Sequence, residues 1–156
     1  MEQIYRGKLI FEKLYNPDLM NAAKNLKKQG ILLQDDNFAY LKIDNSFIHN
    51  LFPLIPDSET WQKLDYVCEK DATGAHITLT YPDDEVIVKD CDINILHSFE
   101  ITELIKTRVD VREYYVLMIS SPSLSFLRKK YNLSQILNFK GYNIGLHITL
   151  ATRKLK

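Results

Sequence analysis

The sequence predicts an α+β fold, and three observations carry that prediction. Strand-like and helix-like segments are mixed along the chain without the strict alternation of a doubly wound parallel sheet. No Gly-, Ser- or Pro-rich linker and no low-complexity stretch divides the 156 residues, so residues 1–156 read as one domain. The hydrophobic content of 46% beside 26% charged residues is enough for a packed core and unlike a disordered chain.

The elements follow in order. Asn16-Pro17-Asp18 is a helix start, with Leu19, Ala22, Ala23 and Leu26 at helical spacing and Gly30 as the stop. Residues 38–44 read as a strand, and Ser46 caps a short helix through Phe52 that Pro53 and Pro56 break. Residues 58–69 favour neither period. Residues 75–81 form a strand by their β-branched content, and Pro82-Asp83-Asp84 a turn. Further strands are expected at residues 85–88, 96–104 and 114–119. Ser121-Pro122-Ser123 opens a helix to about Tyr131, and a strand over residues 146–152 closes the chain.

Twenty basic residues balance 20 acidic ones, so no global field attracts long DNA, although a local site can still hold a small anion. Cys68 and Cys91 lack the spacing of a metal knuckle or a redox pair and read as reduced, structural thiols in the cytoplasm. The charged N-terminus does not read as a signal peptide, and no apolar run approaches the roughly 20 residues of a membrane span.

The chemistry concentrates in a repeat. Gly74-Ala75-His76-Ile77-Thr78-Leu79 and Gly145-Leu146-His147-Ile148-Thr149-Leu150 both read Gly-x-His-Ile-Thr-Leu, with histidines 147 − 76 = 71 positions apart. The chain has only four histidines, and a shared tetrapeptide around two of them points to function. In a strand, residues i and i+2 share a face, so His76 projects with Thr78 and His147 with Thr149, while Ile77, Leu79, Ile148 and Leu150 anchor the opposite face. Two halves related by a pseudo-twofold axis would bring two imidazoles and two hydroxyls to one cleft. That set suits phosphoryl chemistry: one imidazole takes a proton from the attacking oxygen and the other gives one to the leaving oxygen. The hydroxyls and an imidazolium hold the non-bridging oxygens as charge builds. Neither three carboxylates nor a denser histidine cluster stands beside the motifs, so no metal and no other cofactor is expected.

The paired His-x-Thr motifs resemble those of the 2H phosphoesterase superfamily, which includes RNA 2′,3′-cyclic phosphodiesterases, viral 2′-5′ oligoadenylate phosphodiesterases and phage anti-CBASS nucleases. The resemblance runs from about Phe38 to the end and is specific at the two motifs. It implies a bilobal α+β fold, with two pseudo-symmetric lobes of antiparallel sheet and flanking helices around a central groove. It also implies attack at a cyclic or 2′-linked phosphate of a nucleotide or short RNA, with His76, Thr78, His147 and Thr149 as the catalytic set. Candidate linkages are a 2′,3′-cyclic end, a 2′-5′ bond, a cyclic oligonucleotide or an ADP-ribose cyclic phosphate.

Around the motifs, Tyr81 and Tyr142 are candidates to stack a base, against ordinary core or turn roles. Arg153 shares strand parity with His147 and Thr149 and would reach a phosphate if the strand continues, against a solvated position near the chain end. Arg128-Lys129-Lys130 reads as a solvated helix face, against a role in drawing an anion towards the second motif, and Trp61 as a stacking platform or a core residue. His49 and His97 lack the following threonine and read as surface or core residues. The alternative functions are a non-catalytic module that holds a nucleotide or RNA end in the same groove, and a structural protein whose repeat records only duplication. Four intact His and Thr positions favour the enzyme.

Overall fold

In the computed structural model, which describes residues 7, 8, 10–68, 73–139 and 142–155, two short strands, β1 (Gly7–Lys8) and β2 (Phe11–Lys13), precede helix α1 (Pro17–Lys24). The helix starts as expected: Asn16 Oδ1 accepts the Leu19 amide at 3.2 Å, and Pro17 occupies the first turn, where no donor is needed. It does not stop at Gly30. The helix is capped at Asn25, and Gly30 lies inside strand β3 (Gln29–Asp35). A Cβ at Gly30 would come within 2.2 Å of the Lys42 carbonyl oxygen on the neighbouring strand, so this glycine serves close backbone approach.

Strand β4 (Phe38–Lys42) pairs with β3 as an antiparallel hairpin. The helix expected at Ser46 is α2 (Ser46–His49), shorter than predicted. Ser46 is its first residue, not its cap, and Asp44 Oδ1 accepts the Ser46 amide at 2.8 Å. A 3₁₀ turn at Phe52–Leu54 follows, and residues 58–69 contain a second such turn and helix α3 (Asp65–Cys68). Strand β5 (His76–Thr80) carries the first motif. No strand forms at residues 85–88. Glu85 has φ +54°, and the Gln34 side chain bonds both backbone groups of Val88, at 3.0 and 2.7 Å, in place of a strand partner.

The strand expected over residues 96–104 is two: β6 (Leu96–Ser98) and β7 (Glu100–Val109), which belong to different sheets and meet at the buried Phe99. Then come β8 (Arg112–Ser120), α4 (Pro122–Lys130) capped by the Ser121 hydroxyl, β9 (Leu137–Phe139), β10 (Tyr142–Ile144) and β11 (His147–Lys154) with the second motif.

Two four-stranded antiparallel sheets dominate, in the orders β5-β4-β3-β6 and β11-β8-β7-β2. They have the same plan: a motif strand on one edge, then a hairpin, then a short strand on the far edge. A small sheet, β1-β10-β9, completes the fold with one parallel pair. The architecture is the α+β arrangement expected. Ile77, Leu79, Ile148 and Leu150 are fully buried, as the alternation required. Each such side chain stabilises the fold by roughly 1.5–3 kcal/mol. Among the described residues no helix is long and apolar enough to cross a membrane. Cys91 is free and exposed, so the structural role expected for it does not hold; the Cys68 side chain, Glu69 and residues 1–6 lie outside what is described.

Candidate active site

The repeat extends from sequence to backbone geometry. Each motif strand bulges at the leucine of its His-Ile-Thr-Leu. In β5 the pairing steps from Thr78↔Tyr40 to Thr80↔Ala39, leaving Leu79 as the extra residue. In β11 it steps from Thr149↔Val116 to Ala151↔Tyr115, leaving Leu150. A bulge reverses the facing of everything beyond it. His and Thr therefore keep the groove face in both motifs, while Thr80 and Ala151 turn into the core at 0% exposure.

The two motif strands share no ladder hydrogen bonds but lie against each other, and their side chains meet in one cleft of about 290 Å³. His76, Thr78, His147 and Thr149 all line it. The pseudo-symmetry reaches the imidazoles. His76 Nδ1 lies 2.7 Å from the Gly74 carbonyl oxygen, and His147 Nδ1 lies 2.8 Å from the Gly145 carbonyl oxygen. A carbonyl only accepts, so each ring donates from Nδ1 and keeps Nε2 for the cleft. The anchoring carbonyl belongs in both motifs to the residue two places before the histidine.

Gly74 has φ +71°, and a Cβ there would meet Lys42 Nζ at 2.2 Å and Asn45 Oδ1 at 2.6 Å. Asn45 Oδ1 accepts both the Ala75 amide at 2.9 Å and the Lys42 ammonium at 3.1 Å, which fixes the turn bearing the Gly74 carbonyl.

Burial holds both histidines neutral. It drives His76 down to about 4, helped by the charges of His147 and Lys42 and opposed by the Gly74 hydrogen bond. Burial likewise lowers His147, against the Gly145 hydrogen bond. Three aromatic rings stand edge-on to the His76 imidazole: Tyr66 at 4.8 Å, Tyr40 at 5.7 Å and Phe38 at 5.8 Å. Tyr81 and Tyr66 line the same cleft as Thr78 and Thr149. Burial raises both phenols, Tyr81 to about 12, so both stay protonated. Tyr81 and Tyr142 line the cleft beside Tyr114.

Arg153 does not join them. The strand does continue, but the bulge at Leu150 puts Arg153 on the opposite face, paired with Glu113. Its Nε donates to Glu113 Oε1 at 2.8 Å, its Nη1 donates to Thr60 at 3.0 Å, and the guanidinium lies 4.3 Å over Trp61. Trp61 is accordingly a core residue, 6% exposed, with its edge on Tyr115. Arg153→Met is expected to lower stability by about 1–2 kcal/mol through the lost stacking and ion pair, and to leave kcat/KM within a factor of about two. Thermal melts and initial rates check this, and a large rate loss in a normally melting variant would return Arg153 to the site.

Arg128 is no solvated cation either. At 2% exposure it bonds the Ser134 carbonyl and the carbonyl of the bulged Leu79 and pairs with Asp84, so it braces the first motif from behind. His49 is exposed beside Lys63, and His97 is buried against Ser123, as their missing threonines implied. Among the described residues no group of three or more His, Cys, Asp or Glu side chains has metal-binding geometry. Tyr66, Asn45, Phe38 and Tyr40 had no signal in the sequence, because they reach the motifs only through sheet pairing and a loop.

Two antiparallel sheets that each deliver a bulged edge strand with a His-x-Thr pair to one cleft define a two-histidine phosphoesterase class of fold. A family model described as the Swiss Army Knife, 2H phosphoesterase domain matches residues 39–155, about three quarters of the chain. The chain belongs to the 2H phosphoesterase family, and its general activity is that of a phosphoesterase. No curated protein and no solved structure matches it.

Proposed function

We propose that this protein is a metal-independent phosphodiesterase acting on a cyclic or 2′-linked phosphate of a nucleotide or short RNA, with His76 and His147 as the acid–base pair. The observation that carries the reading is the duplicated imidazole anchoring. Two Nδ1–H groups are committed to glycine carbonyls, so two Nε2 atoms are left for one small cleft.

In this reading the phosphate sits between the two Nε2 atoms. One neutral imidazole accepts the proton of the attacking water or ribose hydroxyl. The other, protonated when the anion binds, donates to the leaving oxygen. Thr78 and Thr149 donate to the non-bridging oxygens as they gain charge. Tyr81 and Tyr142 offer flat faces to a base or ribose. Among the described lining residues none but the histidines can become a cation, which suits a phosphate diester with its single negative charge.

The test is a panel of 2′,3′-cyclic mononucleotides, 2′-5′ and 3′-5′ dinucleotides, cyclic oligonucleotides and ADP-ribose cyclic phosphate. Each is incubated with the protein in excess EDTA and read by mass spectrometry. Conversion of at least one diester at an undiminished rate in chelator is the expected result. Activity abolished by EDTA and restored by a divalent cation would overturn the metal-free mechanism. Tight binding without turnover would make the cleft a nucleotide-binding module.

A further inference from the structure

We infer that Lys42 breaks the symmetry of the site: its ammonium, held against the turn that anchors His76, makes His76 the proton acceptor and leaves His147 as the proton donor. Lys42 is a positioning residue that acts through His76. The inference rests on the phosphodiesterase reading above and adds the two roles that the mirrored motifs leave open.

The two lobes correspond residue by residue. His76 is paired with Lys42 of β4, and His147 with Met118 of β8. One residue on, the Ile43 amide donates to the Ala75 carbonyl at 3.2 Å, and the Ile119 amide donates to the Leu146 carbonyl at 3.1 Å. A Cβ on Gly74 would run into Lys42 Nζ, and a Cβ on Gly145 would stand 3.3 Å from Met118 Cε. The same place beside each anchoring glycine therefore holds an ammonium in one lobe and a thioether methyl in the other.

That exchange changes the chemistry of one imidazole. A fixed cation beside an imidazole disfavours a second proton on the ring. Lys42 Nζ donates to Asn45 Oδ1 at 3.1 Å, and the same oxygen accepts the Ala75 amide at 2.9 Å. The charge is thus fixed to the turn whose Gly74 carbonyl accepts from His76 Nδ1. Lys42 is not among the described residues that line the cleft, so its effect runs through His76 and not through substrate. The other titratable groups at His76 are Tyr40 of β4, Tyr66 of α3 and His147 of β11. Burial raises both phenols, which stay neutral, so the charges that act on His76 are those of His147 and Lys42. Asp44 favours the charged form of Lys42 against its burial.

The first proton to enter the pair therefore goes to His147, and His76 stays neutral. In the reaction His76 Nε2 takes the proton of the attacking water or ribose hydroxyl as that oxygen bonds to phosphorus. His147 Nε2–H gives its proton to the leaving oxygen as the other P–O bond breaks. One proton has then moved from His147 to His76, and exchange with solvent restores the starting pair.

The experiment has two arms, on whichever diester the panel identifies. The first compares His76→Ala and His147→Ala on that diester and on an aryl phosphodiester, whose leaving group needs no proton. His147→Ala is expected to return to within about tenfold of wild type on the aryl ester, while His76→Ala stays about 10²–10⁴-fold slow. The second is the pH profile of kcat/KM in wild type, Lys42→Met and Lys42→Arg. Methionine is what the other lobe carries at this place, so Lys42→Met is expected to fold. Its acid limb, which reports the base, should move up by about half a pH unit or more, and its alkaline limb by less. Lys42→Arg should keep the wild-type limb. A merely structural lysine would not move one limb and be rescued by arginine. Failure of His147→Ala to recover, recovery of His76→Ala, or an acid limb unmoved in Lys42→Met would overturn the inference. If wild type converts no diester, the functional reading falls, and NMR titration of the imidazoles decides. His147 protonating before His76, with His76 raised in Lys42→Met, supports the inference, and the reverse order or an unmoved His76 overturns it.

Discussion

Replacing His76 or His147 with alanine is expected to lower kcat by about 10²–10⁴-fold in each case, the usual worth of a positioned acid or base. The double mutant should be little slower than the poorer single mutant, because base and acid serve one transition state. The mirrored anchoring makes the expectation symmetric: each ring has the same Nδ1 bond to a glycine carbonyl and the same relation to a threonine two residues on. Both side chains line a cleft and are not part of the close-packed core, so the variants should fold. Steady-state rates with circular dichroism melts make the check, and near-wild-type turnover in either variant would remove that histidine from the chemistry. A substrate with a good leaving group, such as an aryl phosphodiester, separates the roles. The variant that lost the acid recovers on it, and the variant that lost the base does not.

The pH dependence should be displaced to the acid side. Burial lowers both histidines below the ordinary 6.5, His76 to about 4. A bell-shaped kcat/KM profile peaks midway between the two apparent values of the free pair, so its maximum is expected below pH 6.5. On the alkaline side the rate should fall about tenfold per unit, as the singly protonated pair disappears. In the bound complex the phosphate anion stabilises an imidazolium, so the kcat profile should lie at higher pH than that of kcat/KM.

Stability runs the opposite way. These groups take up protons more readily in the unfolded chain than in the folded one. Falling pH from 6.5 towards 4 therefore favours unfolding, and the full contribution is present above 6.5. For His76 this is at most about 3.4 kcal/mol at 1.36 kcal/mol per unit. His76→Ala should accordingly melt less acid-sensitively than wild type. Rates and melts between pH 4 and 9 test both halves, and a kcat/KM maximum above pH 7.5 would contradict the buried, neutral pair.

The sequence by itself determined which side chains the two motif strands turn to the cleft. Two copies of Gly-x-His-Ile-Thr-Leu set the groove face and the core face of β5 and β11, because side chains alternate along a strand, and Ile77, Leu79, Ile148 and Leu150 are buried as that rule requires. Helix caps at Asn16 and Ser121 were equally legible, since a cap is decided within four residues. What depends on pairing was not. The start of β3 looked like the end of a helix because Gly30 punctuates both a helix end and a crowded strand, and only the Lys42 carbonyl of β4 distinguishes them. Residues 85–88 looked like a strand but found a side-chain amide as partner. Arg153 had the right parity until the bulge at Leu150 reversed it, and a bulge is a property of two strands together. For the same reason Tyr66 and Asn45 stayed invisible. Neither belongs to a motif, and Tyr66 meets the His76 ring and Asn45 the Ala75 amide only because the tertiary fold carries a helix turn and a loop to the edge of β5.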